Sequence, residues 1–334
     1  MKRYEIVSPD GIDSLALSES ETTSPGPGQV LVNIKANCIN YRDLMIVKDP
    51  VPRGIVYPRV PNSDGAGEVI EVGPGVTRFK AGDRVAGTFF QRWIGGPITA
   101  DAMASALGGA IDGVLADYVV FDQQGLVAVP DHLSYAEAAT LPCAALTAWH
   151  ALVELGLRAG EKVLLLGTGG VSIFALQFAK MHGAQAIITS SSDEKLARAK
   201  AMGAWQTINY AETPDWDKAV QEMTDGQGVD RVVEVGGGGT LAKSLEAVKV
   251  GGTVSLIGVL TGGEINPIPV MRKSIRLQGI YVGSRVMFES MNRAISTHEM
   301  HPVIDQSFDF ADAPAAYHHM EAAGHFGKIV IEVS

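Results

Sequence analysis

Residues 161–204 read EKVLLLGTGGVSIFALQFAKMHGAQAIITSSSDEKLARAKAMGA, and no other stretch restricts the fold of this chain as much. A short apolar run at 163–166 breaks into glycines at Gly167, Gly169 and Gly170. Apolar residues then recur at helical spacing through Ile173, Phe174, Leu176, Phe178 and Met181, and a second apolar run follows at 186–188. Strand, tight turn, helix and strand in that order make one βαβ unit. Gly167 can take positive φ, and Gly169 has no side chain to keep a pyrophosphate away from the backbone. Phosphates can then sit on free N–H groups at the helix N-terminus, where the dipole favours negative charge. A dinucleotide site at Gly167, Gly169, Gly170 and Val171 is the expectation, with a plain strand-to-helix turn as the alternative. Ser172 stands where a third glycine is usual, and its side chain is small enough for close helix–strand packing.

The residues after the second apolar run select among cofactors. An NAD site usually places an acidic residue there, about 20 residues after the glycines, to bind the ribose 2′-hydroxyl. This chain has Ser190, Ser191 and Ser192, followed by Lys195 and Arg198. Hydroxyl donors and a nearby cation suit a 2′-phosphate, which a carboxylate would repel. NADPH is therefore the expected cofactor, and Asp193 keeps NADH as the alternative. The bland reading of these residues is a solvated helix start with Ser192 as N-cap.

At 334 residues the chain is long enough for two cores. A composition 46% hydrophobic and 19% charged is that of a folded α/β protein. Nucleic acid is disfavoured as a partner by the net charge of -10, because phosphate binding needs a basic surface. The two cysteines, Cys38 and Cys143, give neither a disulfide framework nor a cysteine-rich zinc lobe. The opening MKRYEIVSPDG lacks the apolar run of a signal peptide, and no segment approaches the about 20 apolar residues of a membrane span. A cytoplasmic protein is expected.

Residues 1–125 read as a β-rich domain in which alternating runs at 4–7, 29–36 and 67–72 are separated by Gly- and Pro-rich turns. The irregular stretch 89–113 is long enough to suggest a substrate lid, with Arg92 and Trp93 as ligand contacts or as anchors of the loop. From 126 to 264 the pattern changes. Ser134 and Glu137 form a capping box, Pro142 interrupts the helix, and strands and helices alternate from 162 to 258. That alternation predicts a doubly wound parallel sheet. Residues 265–334 are expected to return to the first domain, which would place substrate in a cleft between domains, close to Tyr281 and Met287.

By this point CINYRDL (38–44), PNSDGAGEV (61–69), KAGDRV (80–85), LPCAALTAW (141–149), the GTGGVS turn and HFGKIVI (325–331) have appeared in order. The chain resembles the medium-chain dehydrogenase/reductase superfamily over nearly its whole length. The resemblance implies a GroES-like catalytic domain, a Rossmann cofactor domain and a homodimer. Zinc-dependent members place a Cys, a His and a Cys or Asp around a catalytic metal, and the matching positions here are Asn40, Ser63 and Cys143. Amide and hydroxyl groups are poor zinc ligands, and one thiol cannot hold such a site. No metal is expected, and Cys143 and Cys38 are read as small buried hydrophobes. The eight histidines lack ligand spacing and are taken as structural or surface residues.

The zinc-free, quinone oxidoreductase-like branch is the better match. It implies that Asn40 lies beside the nicotinamide, that Asp43 is either catalytic or a structural acceptor, and that Thr147 packs near the ring. It also implies that Lys195 and Tyr210 flank the 2′-phosphate, and that Gly258, Val259, Phe326 and Lys328 run along the nicotinamide and its phosphates. Without zinc, an electron-poor quinone or enone is the expected hydride acceptor, its developing charge met by hydrogen-bond donors. Tyr41 is the candidate proton donor, with packing against the cofactor as the alternative. A zinc-free alcohol or carbonyl dehydrogenase and a low-turnover nucleotide-binding protein are the rival functions.

Overall fold

The computed structural model describes residues 1–258 and 260–333. The chain divides into two compact units, Met1–Leu146 with Val282–Ser334, and Thr147–Tyr281. The first begins with a hairpin-like pair, β1 (Lys2–Ile6) and β2 (Leu15–Glu19). Its main sheet is built on β3 (Gln29–Ile39), an 11-residue strand whose alternating apolar residues Val30, Val32 and Ile34 are all buried. Alternation is what a half-buried antiparallel strand requires. Against β3 run β4 (Asp64–Val72) and β6 (Tyr118–Asp122), and β5 (Arg84–Gly87) and β7 (Leu126–Ala128) extend the sheet beyond β4. The register of β3 on β4 shifts twice, between Leu31 and Val32 and between Ile34 and Ala36. Gly67 lies at the second shift, where a Cβ would meet Asn33 O at 2.1 Å, so the two backbones can approach only through a glycine.

The second unit is a six-stranded sheet in the order β10-β9-β8-β11-β12-β13, all neighbours parallel. Its strands are β8 (Lys162–Leu165), β9 (Gln185–Ser190), β10 (Gln206–Asn209), β11 (Val229–Glu234), β12 (Val248–Leu256) and β13 (Arg276–Gly279). Central strands covered on both faces read as continuous apolar runs, as VLL of β8 and RVV of β11 do apart from one arginine. That Arg231 is nearly buried; it pairs with Glu161 at 2.6 Å and donates to Leu155 O and Gly156 O. Helices Gly170–Met181, Asp193–Met202, Trp216–Met223 and Gly238–Ala247 connect the strands. Strand order reverses between β8 and β11, the switch point where α/β sheets bind ligands at their carboxyl ends.

The chain then returns to the first unit, where β14 (Ile304–Asp309) pairs with β15 (Lys328–Glu332) and β15 lies antiparallel to β3. Two segments fall in a different unit from the one their sequence pattern suggests. Residues 126–146 stay in the first unit because β7 pairs with β5 and the helix Tyr135–Ala139 lies against β3 and β4. Residues 265–281 stay in the second because β13 pairs with β12 as the sixth parallel strand. Among the described residues, no helix is long and apolar enough to cross a membrane.

The close approach at Gly67 has a measurable cost. Gly67→Ala should destabilise the protein by about 1–3 kcal/mol through overpacking. Gly279→Ala, where a Cβ meets nothing within 4 Å, should melt like the wild type. Calorimetry on both variants checks this, and a Gly67→Ala protein melting with the wild type would show that the backbones can separate freely.

Candidate active site

In the second unit the glycine turn leaves β8 and becomes a helix with an open start. Gly167 takes φ 71° and its N–H donates to Thr189 Oγ1 at 3.1 Å, tying the turn to β9. Gly169 is the N-cap of Gly170–Met181, and no side chain caps that helix. A Cβ on either Gly167 or Gly169 would meet nothing within 4 Å, so the surface of the turn is free for a ligand to fill. Val171 is the second helical residue, and Ser172 is buried with its hydroxyl turned back onto Leu166 O at 2.7 Å. The uncapped N–H groups and the dipole make this a cradle for phosphate.

A second glycine run is filled by the chain itself. Glu234, at the end of β11, is buried; its Oε1 accepts from Gly236 N at 2.7 Å, Gly237 N at 3.0 Å and Thr240 Oγ1 at 2.6 Å, and Ser244 donates to its other oxygen. The carboxylate thus binds the turn that leads into Gly238–Ala247, and the first N–H groups of that helix, of Gly238 and Gly239, donate to Thr261 O at 2.9 Å and Thr261 Oγ1 at 2.7 Å. Gly258 follows β12 so closely on Val235 that a Cβ would lie 1.6 Å from Val235 O. Val259 lies outside the described residues.

At the end of β9, Ser190 Oγ accepts from Ser192 N, and Ser192 caps the helix that carries Lys195 in its first turn. Register pairing of β10 with β9 brings Asn209 beside Ser190 and places Tyr210, half exposed, next to the serines. The carboxylate of Asp193 accepts from Asn209 Nδ2 at 2.8 Å and is thereby held by a neutral amide. Ser190, Ser191, Lys195 and Tyr210 therefore gather at one strand end, with the Asp193 carboxylate beside them. Thr147, the first residue of this unit, is buried.

In the first unit a different set of residues converges. Lys328, at the start of β15, is only 4% exposed and donates from Nζ to Ile39 O at 2.9 Å and to Asn40 Oδ1 at 2.6 Å. Asn40 Nδ2 donates to Ser63 Oγ at 3.4 Å, Ser63 Oγ to Asp64 Oδ1 at 2.6 Å, and Cys143 N to Asp64 Oδ2 at 3.0 Å. Cys143 lies in a π-helical turn, Leu141–Ala145, where Pro142 breaks the regular ladder. Asn62, held at φ 65° and bonded by the buried Tyr317 hydroxyl, delivers Ser63 and Asp64 into the cluster. Cys38 Sγ lies over Ile329 O at 3.1 Å.

Asn40 also begins the helix Tyr41–Lys48, which carries Tyr41 half exposed at its first position. Asp43 is buried, with Oδ2 accepting from Asn40 N at 2.9 Å and Oδ1 facing Arg42 at 2.9 Å. Both oxygens are thus engaged by their own turn. Phe326 is buried and its N–H donates to Asp305 Oδ1.

Burial pushes the Asp64 carboxyl up to about 6, against the opposing pull of Lys328. Burial likewise raises the Cys38 thiol to about 12. Lys328 is drawn down by its own burial, but the acidic groups around it, Cys38, Asp64, Cys143 and Asp43, leave it above the ordinary lysine value. These residues do not fit a catalytic zinc. The Asn40 oxygen is taken by an ammonium, Ser63 offers a hydroxyl, and among the described residues no three His, Cys, Asp or Glu side chains form a metal-holding group. Sequence reasoning did not single out Asp64, whose one signal is a carboxylate at the head of a strand whose first half is buried.

The stretch 89–113 is anchored by buried Phe89, Phe90 and Trp93. Arg92 pairs with Asp101 at 2.9 Å, and Trp93 Nε1 donates to Gly96 O, so both side chains serve the loop itself. His318 and His319 face Asp13 and Asp305 respectively, on different sides of their helix.

Two outcomes follow from this geometry. Gly169→Ala should fold with nearly unchanged Tm yet bind dinucleotide at least about tenfold more weakly, since a methyl group would stand in the cradle; fluorescence titration decides it, unaltered affinity counting against the cradle. For Asp64 the folded value of about 6 lies above the ordinary 3.8. The native state thus holds this proton more tightly than the unfolded chain, and the stabilisation is complete below about pH 4 and lost as pH rises through about 6. The Tm of Asp64→Asn relative to the wild type should climb between pH 4 and pH 7. A difference independent of pH would contradict the raised value.

Comparison with known proteins matches this geometry. The model of the alcohol dehydrogenase GroES-like domain matches residues 26–131, and that of the zinc-binding dehydrogenase matches residues 170–297. A zinc-type alcohol dehydrogenase-like protein of Schizosaccharomyces pombe is 43% identical, over 97% of this chain and 96% of its own length. A crystal structure from Sinorhizobium meliloti 1021, provisionally assigned as an alcohol dehydrogenase, shares 44% identity with a TM-score of 0.93, covering 99% of this chain and 98% of its own. The quinone oxidoreductase of Pseudomonas syringae pv. Tomato DC3000 superposes with a TM-score of 0.82 at 30% identity, covering 99% of each chain. The two-unit architecture, the open glycine cradle and these relatives together establish that the chain belongs to the medium-chain dehydrogenase/reductase superfamily and is an NAD(P)-dependent oxidoreductase.

Proposed function

We propose that the protein is a zinc-independent, NADPH-dependent reductase that transfers hydride to a quinone or to the β-carbon of an activated alkene. The observation that carries this reading is the chemistry at the positions matching metal ligands. Asn40 and Ser63 stand there in hydrogen bonds to Lys328 and Asp64, a poor setting for a Lewis acid. An acceptor that needs no metal to polarise it, already electron-poor, suits such a site best. Bound NADPH supplies the hydride. Asn40 and Tyr41 then face the acceptor, Tyr41 as the proton donor to the oxygen that gains charge, while Asp43 holds the turn that presents them. Ser190, Ser191, Lys195 and Tyr210 receive the 2′-phosphate and Gly167, Gly169, Gly170 and Val171 the pyrophosphate, and the family resemblance assigns Thr147, Gly258 and Phe326 to the nicotinamide half. The sequence likeness assigns Lys328 to the cofactor as well, whereas its ammonium is engaged by Ile39 and Asn40. A homodimer joined through the edge strand β13 in the cytoplasm completes the reading.

The Schizosaccharomyces pombe relative is named a zinc-type alcohol dehydrogenase-like protein, which favours alcohol chemistry, and the second reading is a zinc-free alcohol or carbonyl dehydrogenase. Metal-stripped protein assayed with NADPH and NADH against a simple quinone, an enone and an aldehyde separates the two. Rapid metal-independent oxidation of NADPH with quinone or enone is expected, and Lys195→Ala should raise the KM for NADPH about tenfold with little effect on NADH. Turnover of the aldehyde alone would sink the proposal, favouring the second reading where it is metal-independent and a zinc enzyme where it appears only on addition of zinc.

A further inference from the structure

We propose that Lys328 is a positioning residue: from β15 its ammonium grips Ile39 O and Asn40 Oδ1 together, and so fixes the turn that presents Asn40 and Tyr41. This rests on the reading of Asn40 and Tyr41 just given, and it assigns to Lys328 a task other than contact with the cofactor. In zinc-dependent relatives, coordination would organise the matching positions; here directional hydrogen bonds to a fixed cation do so.

Four observations support it. First, Lys328 is almost entirely buried, which an ammonium tolerates only when strongly partnered, and replacing a whole buried set of charges by apolar residues of similar volume commonly costs no stability. A lysine there therefore calls for a role beyond filling space. Second, an ammonium can only donate, so the Asn40 oxygen must face Lys328 and its nitrogen must face Ser63 and Asp64. The carboxamide cannot flip. Third, every bond from Lys328 through Asn40 and Ser63 to Asp64 runs in one donor direction, from cation to anion, so each polarises the next. Fourth, the turn is held from both sides: Lys328 binds Ile39 and Asn40 through their acceptors, and Asp43 accepts from the Asn40 N–H. Tyr41 is the very next residue. Gly327, at φ 87° with only 2.5 Å between its would-be Cβ and Val303 O, sets the direction from which Lys328 enters.

The experiment compares wild-type protein with Lys328→Met and Lys328→Arg. Three quantities are read: the Kd for NADPH by fluorescence titration, kcat and KM with a quinone, and the paired carboxamide proton signals of Asn40 in a ¹⁵N-resolved NMR spectrum, assigned through Asn40→Ala. Loss of a hydrogen bond from a charged group predicts a kcat lowered at least about tenfold in Lys328→Met, with partial recovery in Lys328→Arg. The Kd for NADPH should stay within about twofold, and the two Asn40 signals, distinct in the wild type, should shift together or broaden. A Kd raised tenfold at unchanged saturating kcat would overturn the proposal and make Lys328 a cofactor contact. Unchanged Asn40 signals, with only a lowered Tm, would reduce it to a structural residue. If Lys328→Met does not fold, Lys328→Gln, which keeps one donor, is read in the same way. The NMR reading needs no turnover, so wild-type protein that reduces none of the acceptors would sink the proposed function while leaving the Lys328 result interpretable.

Discussion

A positive and a negative group, both withdrawn from water, face each other through two hydrogen-bonded side chains inside the first unit. Lys328 and Asp64 are separated by Asn40 and Ser63, and the four residues come from three strand ends, Ser63 and Asp64 sharing one. Burying either charge alone would be prohibitive. The cluster therefore ties the end of β3, the head of β4 and the start of β15 into one arrangement, and the backbone N–H of Cys143 adds the π-helical turn. Left-handed backbone leads into two of these ends, at Asn62 before Ser63 and at Gly327 before Lys328.

The second unit has two glycine turns that enter helices, and they are filled differently. Glu234 binds the turn before the helix that follows β11, and Thr261 accepts from the first two N–H groups of that helix, whereas the helix after β8 starts at a glycine with no capping side chain. Each helix start presents several N–H donors, and a start that the chain fills from within differs from one open to an external anion.

Much of this was legible in the sequence. The βαβ stretch announced itself because glycines, apolar period and strand length all point to one structure, and the parallel sheet followed from alternation over 162–258. The serines and Lys195 were visible as a group because only five residues separate Ser190 from Lys195. Other features were not legible, for identifiable reasons. A lysine reads as exposed unless its surroundings are known, so nothing local marked Lys328 as buried. Asp64 reads as an ordinary strand-head acid. β13 is a short edge strand after a loose stretch, and its sheet is decided by pairing with β12 rather than by its own pattern. Arg92 could be placed only by knowing that Asp101 stands beside it.

The first unit is interrupted by the second, and this has a bearing on how the chain is made. β3 pairs with β4 and, over Gln29–Asn33, with β6, both of which leave the ribosome before the second unit, whereas its end at Ala36–Ile39 pairs with β15, which emerges only after the whole parallel sheet. Domains fold largely as units during synthesis, at roughly 5–20 residues per second. The nascent first unit must therefore wait with the Ala36–Ile39 end of β3 open on one edge and with Asp64 lacking its counter-charge, while the cofactor unit is already able to close. On this order of events the nucleotide cradle is ready before the residues that would act on a substrate have been assembled.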